Sequence, residues 1–152
     1  MPSFSGMRAA FTPSTSNDNW TLNADAAGDL ARVRFVTWGG ELTASTAYRT
    51  RFVRPTSAGT TPSAGATESA NPRFSTPSVG FVTGWSAQPT IPATPDALYL
   101  TSWNAHGGLG VLVLPPGSEW EVINGLLQGQ LSCRNDVGAD ANGSSYGVSW
   151  EE

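Results

Sequence analysis

The chain has 152 residues, of which 39% are hydrophobic and only 13% charged, and its net charge is −4. This length can bury a core without disulfides, and the hydrophobic content together with six tryptophans argues against disorder. The negative charge gives no general attraction to nucleic acid or anionic lipid, and no apolar run reaches the ~18 residues of a membrane span. We therefore expect one globular domain over residues 1–152, with neither nucleic acid nor a membrane among its partners.

Glycine and proline, 17 and 11 in number, interrupt the sequence too often for helices of ordinary length. The best helical window, Ala24–Ala31, contains Gly28 and lacks an apolar stripe. Alternation of apolar and polar residues instead predicts short strands. In chain order these are Met7–Thr12, Trp20–Asn23, Leu30–Trp38, Ala47–Arg54, Val79–Trp85, Leu98–Asn104, Leu109–Leu114, Glu119–Ile123, Leu126–Arg134 and Tyr146–Trp150.

Turn sequences between these strands predict three neighbouring pairs. The third and fourth strands are close enough along the chain to be hairpin partners. Ala105-His106-Gly107-Gly108 fits a hairpin turn, and Asn124-Gly125 is the commonest dipeptide of a type I′ hairpin. A series of short strands without a sequence repeat predicts an all-β, single-domain β-sandwich, which we expect to be a jelly roll with long Pro/Gly/Ser/Thr-rich loops.

The segment Pro55–Pro77 differs from the rest of the chain. It consists mainly of Ser, Thr, Ala, Gly and Pro, and its only charged residues are Glu68 and Arg73. Such a segment has almost nothing to bury, and a loop of this length is uncommon inside a compact domain. Two interpretations stay open: a long surface loop, or an extended arm that becomes ordered against a neighbouring subunit.

Arginine is the only side chain that carries a fixed positive charge here, because the chain has no lysine. Four of the eight arginines form alternating pairs, Arg32 with Arg34 and Arg49 with Arg51. Alternation places each pair on one side of its strand, and pairing of the two strands would unite all four on one face. The planar guanidinium group pairs well with carboxylates, so this face predicts a docking surface.

Four interpretations of the arginine face remain open. The arginines could be solvent-facing polar residues, could pair across subunits with carboxylates such as Glu151 and Glu152, or could contact a different protein. A nucleic acid site is disfavoured because the chain has no further basic surface. Trp38 shares the arginine face in this interpretation, and tryptophan and arginine are enriched at binding hot spots. The candidate protein–protein interface is therefore Arg32, Arg34, Trp38, Arg49 and Arg51.

Catalytic and metal-binding patterns are sparse. His106, the only histidine, lies in a glycine-flanked turn and is better explained as an exposed turn residue than as a catalytic base. Cys133 lies in a predicted strand, where a buried inert thiol is expected. Oxygen ligands for calcium stand at Asp136, Asp140 and Asn142-Gly143, but they form only part of an EF-hand pattern. We expect no cofactor, no metal and no enzymatic activity.

Two acidic residues give a weaker hydrolase hypothesis. Glu119 and Glu121 flank Trp120 and lie on one side of a strand, at a spacing that glycosidase carboxylates also use. Binding of a carbohydrate without catalysis is the better alternative, because exposed tryptophans on sandwich domains often stack on sugars. The candidate residues for that alternative are Trp103 and Trp120.

The chain resembles the jelly-roll decoration, or cement, proteins of tailed bacteriophage capsids. The resemblance is one of architecture and composition and covers most of the length. It is carried by the strand-and-turn segment Arg32–Arg54 with Trp38-Gly39-Gly40 at a turn, the small-residue loop Ser57–Ala70, the corner Leu112–Gly117 and the closing strand Tyr146–Glu152.

The resemblance implies a structural role. A cement protein binds the major capsid protein, forms a homo-oligomer that we expect to be a trimer, and needs no cofactor. The expected location is the capsid surface of the virion, after assembly in the host cytoplasm. The alternative is a carbohydrate-binding or receptor-binding β-sandwich module of a phage tail or head fibre.

Overall fold

A computed structural model describes residues 1–71, 73, 76–93, 96–124, 129–141 and 143–152. Strands dominate this part of the chain, and none of its helices is long and apolar enough to cross a membrane. The described strands are β1 (Ser3–Phe11), β2 (Trp20–Asn23), β3 (Leu30–Gly40), β4 (Ala47–Val53), β5 (Thr60–Ala64), β6 (Thr67–Ser69), β7 (Gly80–Ala87), β8 (Tyr99–Asn104), β9 (Leu109–Val113), β10 (Trp120–Ile123), β11 (Gln130–Val137) and β12 (Ser144–Glu151).

The strands form two antiparallel sheets. Sheet A has the order β10-β3-β12-β1-β6, and β9 pairs with β3 beyond the end of β10. Sheet B has the order β5-β7-β2-β11-β4-β8. The two sheets pack face to face, so the prediction of an all-β sandwich is confirmed.

Consecutive strands pair with each other nowhere in the described part of the chain. All three predicted hairpins are therefore wrong: β3 and β4, β8 and β9, and β10 and β11 each lie in opposite sheets, and Gly125 lies outside the described residues. The segment 105–108 shows the reason. Ala105 is buried, and its carbonyl accepts a hydrogen bond from Leu42 N at 2.9 Å, so the turn crosses the end of the sandwich. Turn residues mark a reversal of the chain, and do not select the next strand's partner.

Aromatic side chains from both sheets fill the core. Trp20 of β2 is fully buried and packs against Phe52 and Phe81, with ring centroids 6.0 and 6.2 Å away. Trp150 and Phe4 of sheet A pack against each other at 5.9 Å. Removing this much apolar surface from water is the main favourable term that holds the sheets together.

A β-bulge in β3 changes which residues face the core. Val33 pairs with Trp150 and Phe35 pairs with Ser149, so Arg34 is an extra residue on β3. The bulge resets the alternation of faces: Val36 and Trp38 point inward, and Phe35 is exposed. The prediction that Trp38 shares the arginine face is wrong, because a strict period of two fails at the bulge. Trp38 is only 6% exposed and packs on Phe52 at 6.1 Å.

A small polar network lies among the apolar side chains and joins the sheets. Asn135 Oδ1 accepts hydrogen bonds from Thr50 Oγ1 at 2.9 Å, Tyr146 Oη at 2.7 Å and Asn19 Nδ2 at 2.9 Å. Burial raises the pKa of Tyr146 well above its ordinary value, so its hydroxyl keeps the proton that it donates. Since buried polar groups are costly without partners, this network fixes how the two sheets align.

For the segment Pro55–Pro77 the sequence predicts either a long surface loop or an extended arm that becomes ordered against a neighbouring subunit. Its described part instead supplies an edge strand to each sheet: β5 pairs with β7, and β6 pairs with β1. Gly65 lies between them, and a Cβ there would overlap Phe81 and Thr83. The segment therefore contributes to the sandwich although its sequence offers little to bury. Residues 72, 74 and 75 lie outside the described part.

We predict that Gly110→Ala destabilises the protein, because a Cβ at this position of β9 would overlap the buried indole of Trp38. Overpacking of this kind costs about 1–3 kcal/mol of unfolding free energy. Gly39→Ala, on the paired strand β3, is the matched control, since its nearest neighbour would lie at 3.7 Å. Urea denaturation of both variants measures the difference, and equal stability of the two would contradict this account of β9.

Candidate functional site

Two of the predicted interface arginines lie on the outer face of sheet A and pair within the chain. Arg32 Nε donates to Glu121 Oε1 at 3.0 Å. Arg34 pairs with both Glu119 and Glu151, the latter at 2.5 Å. These ion pairs join β10, β3 and β12, three neighbouring strands of one sheet. Glu151 was considered as a partner for these arginines across subunits. It pairs with Arg34 within the same chain.

Hydrogen bonds and an ion pair also act on Glu119, one of the two acidic residues considered for hydrolysis. The hydrogen bond from Arg34 to Glu151 raises the pKa of the arginine. Backbone N–H groups, its own and that of Gly117, lower the pKa of Glu119, and Arg34 adds to the effect. A carboxyl group held in its ionised form is a poor general acid, whereas a glycosidase needs one with a raised pKa. The geometry therefore favours a structural use of Glu119 and Glu121.

The other two arginines lie on the outer face of sheet B. Arg51 Nε lies 2.8 Å from Asp136 Oδ1, and Arg49 Nε lies 3.5 Å from Oδ2 of the same carboxylate. Asp136 is the extra residue at a bulge in β11, between the pairs that Asn135 and Val137 make with β4. The prediction of one four-arginine face is wrong, because the pairs belong to different sheets with the core between them.

The remaining candidates from sequence have ordinary surroundings. Asp136, which was considered as a calcium ligand, forms ion pairs with Arg49 and Arg51. Asn142 lies outside the described residues. The described part of the chain contains no group of three or more residues suited to holding a metal ion. His106 is exposed, and its Nδ1 lies 2.9 Å from the carbonyl oxygen of Leu42. Cys133 is fully buried, as predicted, and burial raises the pKa of its thiol.

Neither tryptophan proposed for glycan stacking forms an open platform. Trp103 contacts Tyr48 edge-on at 5.0 Å, and its Nε1 donates to Thr50 Oγ1 at 3.1 Å. Trp120 packs on Phe52 at 5.6 Å. Both are partly buried side chains that line the core, so their ring faces are already in use.

Sheet A also carries an exposed apolar surface that was not predicted from the sequence. Leu109, Val111 and Val113 all point outward from β9 and are 79%, 54% and 67% exposed. Phe35, the cross-strand neighbour of Val113, is also exposed, and so is Met7 on β1. We call Leu109, Val111, Val113, Phe35 and Met7 the apolar face.

The position of the apolar face is that of an interface. In the described part of the chain β9 pairs only with β3, so its second edge offers unpaired backbone N–H and carbonyl groups. Phe35 directly follows Arg34, so the ion pairs of Arg32 and Arg34 border the apolar residues. An apolar centre with a charged rim is the usual anatomy of a protein–protein contact. The signal for this face in the sequence was the continuous apolar run Leu109–Leu114. A strand with one face in solvent normally alternates apolar and polar residues.

We predict that Asp136→Asn destabilises the protein by about 1–3 kcal/mol, because it leaves Arg49 and Arg51 side by side without a counter-ion. Asp96→Asn, at an exposed position, is the control and should leave stability unchanged within about 0.5 kcal/mol. Thermal and urea unfolding of both variants provide the measurement. An Asp136→Asn protein as stable as the parent would show that the two arginines do not depend on this carboxylate.

Comparison with known proteins adds no relative: no protein-family model, no curated protein and no solved structure matches this chain.

Proposed function

We propose that this chain is a structural virion protein, a jelly-roll decoration protein that self-associates, as a trimer, on the capsid surface of a bacteriophage and binds its major capsid protein. The observation that carries the proposal is the apolar face on the edge of sheet A. Assembly takes place in the host cytoplasm, and no cofactor or catalytic group takes part. The resemblance in architecture and composition supplies the viral context.

The energetics of the apolar face support self-association. Burying one valine, leucine or phenylalanine side chain is worth roughly 1.5–3 kcal/mol, and three such residues lie on β9 alone. An exposed edge strand with apolar side chains is an aggregation hazard unless another chain covers it. Identical copies carry identical faces, so a closed oligomer covers every copy at once.

A cement protein needs a second contact surface for the capsid lattice, and the outer face of sheet B offers one. Arg49 is 43% exposed at its side chain although it pairs with Asp136. The exposed Leu100 lies opposite Arg51 on the neighbouring strand β8, and Leu98, also exposed, precedes that strand. Under this proposal Arg32 and Arg34 border the contact between copies, and Arg49 and Arg51 lie at the contact with the capsid protein. Trp38 supports the first contact from within the core.

The rigidity of the sandwich suits a structural role. Arg134 and Asp18 form a buried ion pair at 2.6 Å, and Asp18 also accepts hydrogen bonds from Thr21 and Ser132. This cluster ties β2, β11 and the preceding segment together. A protein that clamps a lattice must transmit load between its two contact surfaces, and such internal ties resist distortion.

We predict that the protein has three times its 15.9 kDa chain mass in solution and that Val111→Lys with Val113→Lys reduces it to a monomer. The reason is that two buried charges in an apolar contact each cost several kcal/mol. Light scattering coupled to size-exclusion chromatography gives the mass directly. Leu100→Lys is the matched control, since Leu100 has a similar chemistry and 41% exposure but lies on sheet B.

The outcomes separate self-association from its location. A monomeric parent protein at tens of micromolar would contradict self-association. A double variant that keeps the parent mass, or a Leu100→Lys protein that loses it, would show that the apolar face is not the contact. Far-ultraviolet circular dichroism of each variant checks that the strands remain.

A further inference from the structure

We infer that a cavity beside Arg8 binds a carboxylate group carried on a sugar, as in a uronic acid. This site is separate from the apolar face and goes beyond the proposed structural role. The cavity has a volume of about 260 Å³, which is enough for one monosaccharide, and polar groups dominate its lining. Its lining includes Arg8, Phe11, Asn17, Asp18, Trp85 and Gln88.

Arg8 is the residue on which the inference rests. Its Nη1 donates to the carbonyl oxygens of Asn19 at 2.7 Å and Thr83 at 2.9 Å, and its guanidinium lies 4.1 Å from the ring centroid of Phe11. These contacts fix the plane of the group while using only one of its three nitrogens. Five N–H donors belong to a guanidinium, so a fork remains for a ligand.

The charge of Arg8 has no counter-ion among the described residues. Each of the arginines 32, 34, 49, 51 and 134 has a carboxylate within 4.0 Å, and Arg8 has none. Burial lowers the pKa of Arg8. The ordinary pKa of an arginine is so high that the group stays charged. A fixed, half-buried and unpaired cation is a ready partner for an anion.

The one acidic residue that lines the cavity does not cancel this charge. Asp18 Oδ1 pairs with Arg134 at 2.6 Å, and Asp18 Oδ2 accepts hydrogen bonds from Thr21 and Ser132. Its charge is therefore balanced by Arg134. The net charge offered to a ligand is that of a single guanidinium, which suits a carboxylate better than a phosphate dianion.

The other lining residues favour a sugar as the carrier of the carboxylate. Trp85 supplies aromatic surface, on which the C–H groups of a sugar ring pack well. Gln88 Oε1 accepts a hydrogen bond from the backbone N–H of Asp18, which positions the carboxamide so that its NH₂ group is available. Asn17 is exposed at the rim and adds a second amide. Amides that donate and accept match the hydroxyl groups of a sugar.

The test is a titration of the ¹⁵N-labelled parent protein with three probes that separate the parts of the ligand. D-Glucuronate carries both ring and carboxylate, D-glucose carries the ring alone, and acetate carries the carboxylate alone. We expect glucuronate to shift the resonances of the cavity residues at millimolar concentrations and to bind about tenfold more tightly than either partial probe. The charged fork accounts for the preference over glucose, and the aromatic and amide contacts account for the preference over acetate.

Variants locate the site. Arg8→Gln should abolish binding, and Arg8→Lys, which keeps the charge but loses the fork, should weaken it by about tenfold. Arg73→Gln removes an arginine of the segment after β6 and should bind like the parent, which controls for the loss of one positive charge. Thermal unfolding of each variant shows whether it is folded. If Arg8→Gln is not, Arg8→Lys and Asn17→Ala carry the test, with weaker binding expected for both.

Several results would overturn the inference. No shifts with glucuronate at millimolar concentrations would exclude the site. Equal affinity for acetate and glucuronate would refute the role of the sugar, and equal affinity for glucose and glucuronate would refute the role of Arg8. The solution mass of the Arg8 variants tests self-association separately from ligand binding. The apolar face is unchanged in these variants, so their mass should equal that of the parent protein.

Discussion

The packing of two sheets across a shared aromatic core is the constraint from which the other features follow. Trp20, Phe52 and Trp38 come from three strands in two sheets and meet at one centre. To bring them there, the chain passes from one sheet to the other instead of folding back beside itself. The same crossings place β3 and β4, neighbours in sequence, on opposite faces of the molecule.

The two-sheet arrangement also determines where the charged side chains lie. Arginines that alternate with core residues emerge on the outer faces, where each finds a carboxylate from an adjacent strand of its own sheet. Arg34 reaches Glu119 and Glu151, and Arg51 reaches Asp136. These pairs tie neighbouring strands together and leave little uncompensated charge on either face. Arg8 differs from these arginines: it points between the sheets, where it donates to two backbone carbonyls and lies over an aromatic ring, and no described carboxylate lies within 4.0 Å of it.

Two surfaces stand out once internal pairing is accounted for, and they differ in chemistry. The apolar face is broad, lies on an open sheet edge and suits a flat partner such as another copy of the chain. The cavity beside Arg8 is small and polar and suits a small ligand. The first lies on the outer face of sheet A, and the second is lined by residues of both sheets, among them Arg8 of β1 and Trp85 of β7.

The sequence by itself determined the all-β class and most strand positions, since alternation and turn residues are local properties. Trp20–Asn23 was predicted with its observed bounds, and the strands near Ala47 and Leu109 differ by one residue. Only the tertiary structure decided which strands pair and which side chains meet. Bulges at Arg34 and Asp136 break the period of two. Turn residues reverse the chain equally well within a sheet or between sheets, so burial of the whole core makes the choice.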